Sequence, residues 1–137
     1  MPTSSFTFFE AFREKLAEKA HDLGSDQLKV ALCAAANAPS AAADAVIADI
    51  TEISYTNCSS RNVTTSSSAY SGGTYTLTLA DLTLTAGGGA IAAFRYVVLF
   101  NDTTVGDMLI GYLDYGADVT LADTETLLID FGTITLT

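Results

Sequence analysis

The chain has 137 residues, six of them Lys or Arg and 16 Asp or Glu, for a formal net charge of -10. That length fits one domain with a sizeable core, and the acidity works against a nucleic-acid binder or a protein docked on anionic lipid, both of which need basic groups. A hydrophobic fraction of 49% excludes a disordered acidic tail. The charge is also uneven: residues 1–30 hold four basic and five acidic groups, and residues 31–137 hold two and eleven.

The first segment with a clear period is 7–23. Thr7 and Glu10 have capping-box spacing, and Phe9, Phe12, Leu16, Ala20 and Leu23 recur at three- and four-residue steps, which predicts an amphipathic helix ended by Gly24. Charges at Glu10, Arg13, Glu14 and Lys15 exclude a signal-peptide core. Phe6, Phe9, Phe12 and Leu16 are candidate assembly contacts; a helix closing the domain's own core is the competing reading.

Residues 27–35 predict a strand at a half-buried edge, Leu28, Val30 and Leu32 alternating with Lys29, Ala31 and Cys33. The Ala-rich stretch that follows is ambiguous between a loop and a short helix over 41–49. Residues 50–55 alternate like a strand, and 57–73 read as a long polar loop ending in Gly72-Gly73. A Thr/Leu strand over 74–86, with a break near Ala80-Asp81, leads through the turn at Gly87–Gly89 into 90–100, apolar on both faces and thus covered on both. Further strands are predicted at 107–115, 118–122, 124–131 and 132–137. The expected architecture is mainly β: residues 1–26 form an N-terminal arm and helix. Residues 27–137 form a single antiparallel β-sandwich or jelly-roll-like barrel.

Few residues offer chemistry. His21 is the single histidine, placed near the predicted helix end where the dipole favours it. No nucleophile-elbow motif supports a Ser-His-Asp arrangement using Ser66–Ser68, and no enzymatic activity is expected. Cys33 and Cys58 stand 25 positions apart; reduced thiols are the plainer reading and a single disulfide the alternative. Acidic loops at 114–118 and 123–125 have hard oxygen ligands but no EF-hand spacing, so no cofactor is expected beyond an interface cation such as Ca²⁺. Arg95, alone in an apolar strand, needs a partner if buried, and Asp114 and Asp81 are the candidates. Tyr55, Arg61, Asn62 and Tyr70 are candidate members of a recognition loop.

The order of Asp26–Leu32, Tyr70-x-Gly72-Gly73, the Thr/Leu strand, Ala92–Asp102 and Leu109–Gly116 resembles a family of small structural proteins of tailed bacteriophages. The resemblance implies a capsid decoration protein: made in the host cytoplasm, resident on the virion surface, bound to the major capsid protein and to its own copies as a homotrimer. A tail-associated or fibre-base adaptor with a receptor- or glycan-binding role is the alternative. The resemblance carries over no catalytic residue, and the acidic charge argues against nucleic acid and membrane as partners. The near-neutral N-terminal end is then the expected contact surface, and the acidic body the solvent face.

Overall fold

A computed structural model describes residues 6–136 of the chain. Its first element is a strand, Phe6–Phe8 (β1), and the helix is confined to Glu10–Ala17 (α1). Thr7 therefore lies in the strand and caps nothing; Phe9 occupies the N-cap without a side-chain bond. Two-residue alternation wins here because it sends Phe6 and Phe8 to one side, against Phe131 and Phe12. Burying such rings outweighs a cap worth about 1 kcal/mol. The helix also ends early. Lys19 takes the left-handed conformation (φ 68°), Ala20 N–H bonds Lys15 O and Lys19 N–H bonds Leu16 O. This is a Schellman closure with a lysine where glycine is usual, so Gly24 is not the stop.

Strand β2 (Leu28–Cys33) forms where expected but is no half-buried edge: it pairs on both sides, with 62–63 and 96–101, and five of its six residues are buried. Residues 34–61 contain no strand and only a 3-10 turn at Ile47–Asp49. The Asp49 carboxylate accepts the N–H groups of Ala45 and Val46 and holds that turn. Residues 50–55 form no strand; Ile53 N–H donates to Leu32 O at 2.9 Å. The polar stretch 57–73 is not one loop: it contains β3 (Asn62–Val63) and β4 (Thr65–Ser71). Gly72 and Gly73, with φ of 59° and 84°, make the two-residue turn from β4 into β5 (Thr74–Leu79). The break at Ala80-Asp81 separates β5 from β6 (Leu82–Thr85). Then come β7 (Ile91–Asn101), β8 (Met108–Leu121), β9 (Thr126–Ile129) and β10 (Thr133–Leu136).

The sandwich or barrel expectation is corrected. Among the described residues the strands form three open sheets, in orders β1-β8-β7-β2-β3, β10-β5-β4 and β6-β9, and none closes. The reason is local: Ala80-Asp81 sends β5 and β6 into different sheets, and the strandless 34–61 stretch supplies no ladder to complete a second large one.

The centre of the five-stranded sheet, β2, β7 and the first half of β8, is buried on both faces, as the double apolar pattern of 90–100 predicts for β7. One face presents Leu28, Val30, Leu32, Val97 and Leu99 to the main core, shared with Leu77, Leu84, Ile129 and Ile134 of the smaller sheets. The other presents Ala31, Cys33, Tyr96, Val98 and Phe100, covered by Phe9, Ile47 and Ile50. Register irregularities at Ile91/Phe94 and Phe94/Tyr96 move Phe94 to the main-core side with Val97, although simple alternation pairs it with Tyr96.

Candidate functional site

The predicted apolar stripe divides between the two faces of the large sheet. Phe12 is 1% exposed in the main core, and Phe9 is fully buried on the opposite face beside Tyr112. Both rings are consumed inside the protomer, which leaves them nothing to offer a second copy. Phe6 and Leu16 are half-buried. A ladder of rings runs Phe131, Phe6, Phe8, Phe12, His21, with centroid spacings of 6.2, 5.2, 5.5 and 5.1 Å, and fastens the N-terminal segment to the domain.

Of the recognition residues, Tyr55, Arg61 and Asn62 meet and Tyr70 stands on another sheet. The Arg61 guanidinium lies 3.6 Å over the Tyr55 ring, donates to Val30 O at 2.7 Å and sits 3.7 Å from Glu52. The Tyr55 hydroxyl donates to Glu52 and accepts the Leu32 N–H. Burial, reinforced by Glu52, pushes this phenol far above its ordinary range, so it stays a neutral donor. These bonds lock the irregular 50–62 segment onto β2. What they leave open is a 330 Å³ hollow in which Lys29 joins Ser59, Ser60 and Asn62.

Arg95 pairs with Asp114, one of its two predicted partners, through two bonds of 2.8 and 3.2 Å. The pair is not buried as expected: the side chains are 32% and 38% exposed. Arg95 falls within the irregular register between Phe94 and Tyr96, and Asp114 stands opposite Tyr96. Hydrogen bonding to Asp114 raises the Arg95 pKa, and Arg95 together with the Gly116 N–H lowers that of Asp114.

The sequence reading missed a buried polar hub. Asn101, fully buried at the end of β7, donates from Nδ2 to His21 Nδ1 at 3.1 Å and to Asp26 Oδ2 at 2.6 Å, and accepts the Thr103 N–H at 3.0 Å. An accepting Nδ1 puts the His21 proton on Nε2, which has no hydrogen-bond partner among the described residues. His21 lies past the end of α1, so the predicted dipole role does not apply. Burial lowers its pKa, partly offset by Asp26. The available signal was an Asn closing an apolar strand, but its partners lie 75 and 80 positions away.

Beside the hub lies a cleft of about 580 Å³ between the end of α1 and the three-stranded sheet, lined by Leu16, Leu23, Tyr75 and Leu136 with His21 and Ser68 and with the charged Lys19 and Asp22. Ser68 Oγ is 2.8 Å from the Tyr75 hydroxyl, and His21 Nδ1 is taken by Asn101. Serine and histidine thus share a lining without forming a nucleophile–base pair. Among the described residues, no group of three or more His, Cys, Asp or Glu is placed to hold a metal ion, and both cysteines are free. Comparison with family models, curated proteins and solved structures finds no match for this chain.

Proposed function

We propose that the chain is a non-enzymatic structural protein of a tailed-phage virion that binds the capsid shell from outside as a decoration protein. The observation that carries this reading is the position of the segments bearing the resemblance. Asp26–Leu32, Ala92–Asp102 and Leu109–Gly116 correspond to β2, β7 and β8, three adjacent strands with core on both faces. The ordered motifs are therefore the spine of the fold, the part a family would share. In this reading the major capsid protein is the chief partner. The glycan-binding alternative is weakened because Tyr55 and Arg61 are spent on the chain's own backbone and on Glu52.

The test is mass spectrometry and cryo-electron microscopy of purified virions of the phage that encodes the chain. Stoichiometric density on the head supports the proposal. Density confined to the tail replaces it with the adaptor reading, and absence from virions of infected cells that make the protein overturns both.

A further inference from the structure

We propose that β4 is an interface between two copies of this chain, which pair antiparallel through their β4 edges and join two three-stranded sheets into one. This inference is independent of where the protein resides.

Among the described residues strand β4 lies at the edge of its sheet, with β5 on one side only. From Ser66 to Ser71 every residue is exposed, and Tyr70 is 81% exposed. A long edge of this kind is normally blunted by lysine, proline or an inward charge, and β4 has none. The whole chain between Arg61 and Asp81 carries no charged side chain. Two bodies of net charge -10 repel each other, so they approach most cheaply where charge is missing. The other edges fit less well. The free half of β8 carries Asp114 and Asp118, β6 and β9 are flanked by Asp81, Glu125 and Asp130, and β1, β3 and β10 are short.

Register follows from the hairpin. The two-residue turn at Gly72-Gly73 makes Ser71–Thr74 the closing hydrogen-bonded pair, and alternation makes Ala69–Thr76 the next. The N–H and C=O groups of Ser68 and Tyr70 therefore point away from β5. In an antiparallel partner, Ser68 of each copy pairs with Tyr70 of the other, giving roughly four new backbone hydrogen bonds. Ala69 then faces its own counterpart on the two-fold axis as a close, non-hydrogen-bonded pair. Tyr70 shares the core-facing side of the hairpin with Ser68 and Tyr75. Each exposed Tyr70 ring would thus lie over the Ser68–Tyr75 pair of the second copy, at the mouth of its cleft.

The experiment is sedimentation velocity on the full chain across about 1–100 µM. Wild type should sediment as two chains at the upper end. Ala69→Lys, which sets like charges on the axis, and Tyr70→Ala, which removes the anchor, should each raise the dissociation constant at least tenfold with unchanged far-UV circular dichroism. In a Cys58→Ser background, Ala69→Cys should form a covalent dimer under mild oxidation, whereas Asp118→Cys should not. If Ala69→Lys fails to fold, the cross-link decides. A wild type that stays a single chain or sediments as three chains, an oligomer indifferent to both β4 substitutions, or an unreactive Ala69→Cys overturns the proposal.

Discussion

Gly111→Ala tests how the N-terminal segment is held. Gly111 sits in β8 opposite Phe8, and a Cβ there would fall against the edge of the Phe6 ring and 2.6 Å from the Thr7 carbonyl oxygen. The ring can swing aside, but the carbonyl belongs to a paired strand and can move only if β1 lifts from β8. Overpacking typically costs about 1–3 kcal/mol, and the backbone clash puts this case near the top, about 3 kcal/mol. For a chain of this size that lowers the melting midpoint by roughly 10 °C. Phe6→Ala alone should cost about 2 kcal/mol, less than a fully buried Phe because the ring is only partly covered. In the double variant the ring half of the clash has gone, so the combined loss should fall short of the sum by about 1 kcal/mol. Urea unfolding of all four proteins at one fixed concentration gives the cycle. A Gly111→Ala loss below about 0.5 kcal/mol, the range of ordinary surface changes, or strict additivity with Phe6→Ala, would refute the packing argument.

Arg95→Met should shift the melting midpoint by no more than about 2 °C at low salt and less in 0.5 M NaCl, because the pair with Asp114 is partly exposed and screened by salt; a large, salt-insensitive drop would contradict the partly exposed geometry. The lowered His21 pKa means that, below about 6.5, the unfolded chain binds a proton the folded chain does not. The His21 contribution is therefore intact above pH 6.5 and is lost as pH falls toward the folded value, by up to about 1.4 kcal/mol per pH unit. His21→Gln should flatten that slope in urea titrations from pH 5 to 8, and parallel curves would count against a neutral buried imidazole. The Cys33 thiol is fully buried and pushed up to about 11, while Cys58 is partly exposed and raised less decisively, burial being opposed by Arg61. A disulfide reagent at pH 8 should therefore modify Cys58 first and Cys33 only on unfolding, with peptide mapping as the check.

Where a single period rules a segment, the sequence reveals the element: β2, β7, the first half of β8 and the break between β5 and β6 were all legible in the spacing of Val, Leu and Thr. Burial on both faces was legible for β7 alone, because the Lys29 position made β2 read as a half-buried edge. The helix was misplaced because Phe6, Phe8, Phe9 and Phe12 satisfy two periods at once. Only tertiary contacts with Gly111 and Phe131 decide for the strand. The hairpin inside 57–73 was hidden because Thr65–Ser71 lacks an apolar face; it is a strand because β5 pairs with it, not because of its own side chains. The same limit applies to the contact surface. Charge counting pointed to the N-terminal end, but Phe9 and Phe12 are spent internally, and the uncharged run that stays on the outside is the β4–β5 hairpin. The hub at Asn101 joins residues 75 or more positions apart, a distance no local pattern encodes.

The order in which the chain assembles follows from the same contacts. Strands β7 and β8 are joined by a short connection whose own bonds close it. Thr104 Oγ1 donates to Asn101 O and accepts the Met108 N–H, each at 2.9 Å, and Asn101 Oδ1 accepts the Thr103 N–H. Closing so short a loop costs little entropy, and the resulting hairpin presents the apolar faces on which β2 then pairs. Strand β1, by contrast, meets β8 across more than a hundred residues and needs β8 already in place. Interactions within β7–β8 are therefore expected to form before the folding barrier and those of β1 after it. Val98→Ala should slow refolding by most of its equilibrium cost, whereas Gly111→Ala and Phe6→Ala should leave refolding nearly unchanged and accelerate unfolding instead. Stopped-flow chevrons of the three variants separate the cases: a refolding limb slowed by Gly111→Ala as much as by Val98→Ala would mean that β1 docks with the nucleus, and the short connection would not set the order.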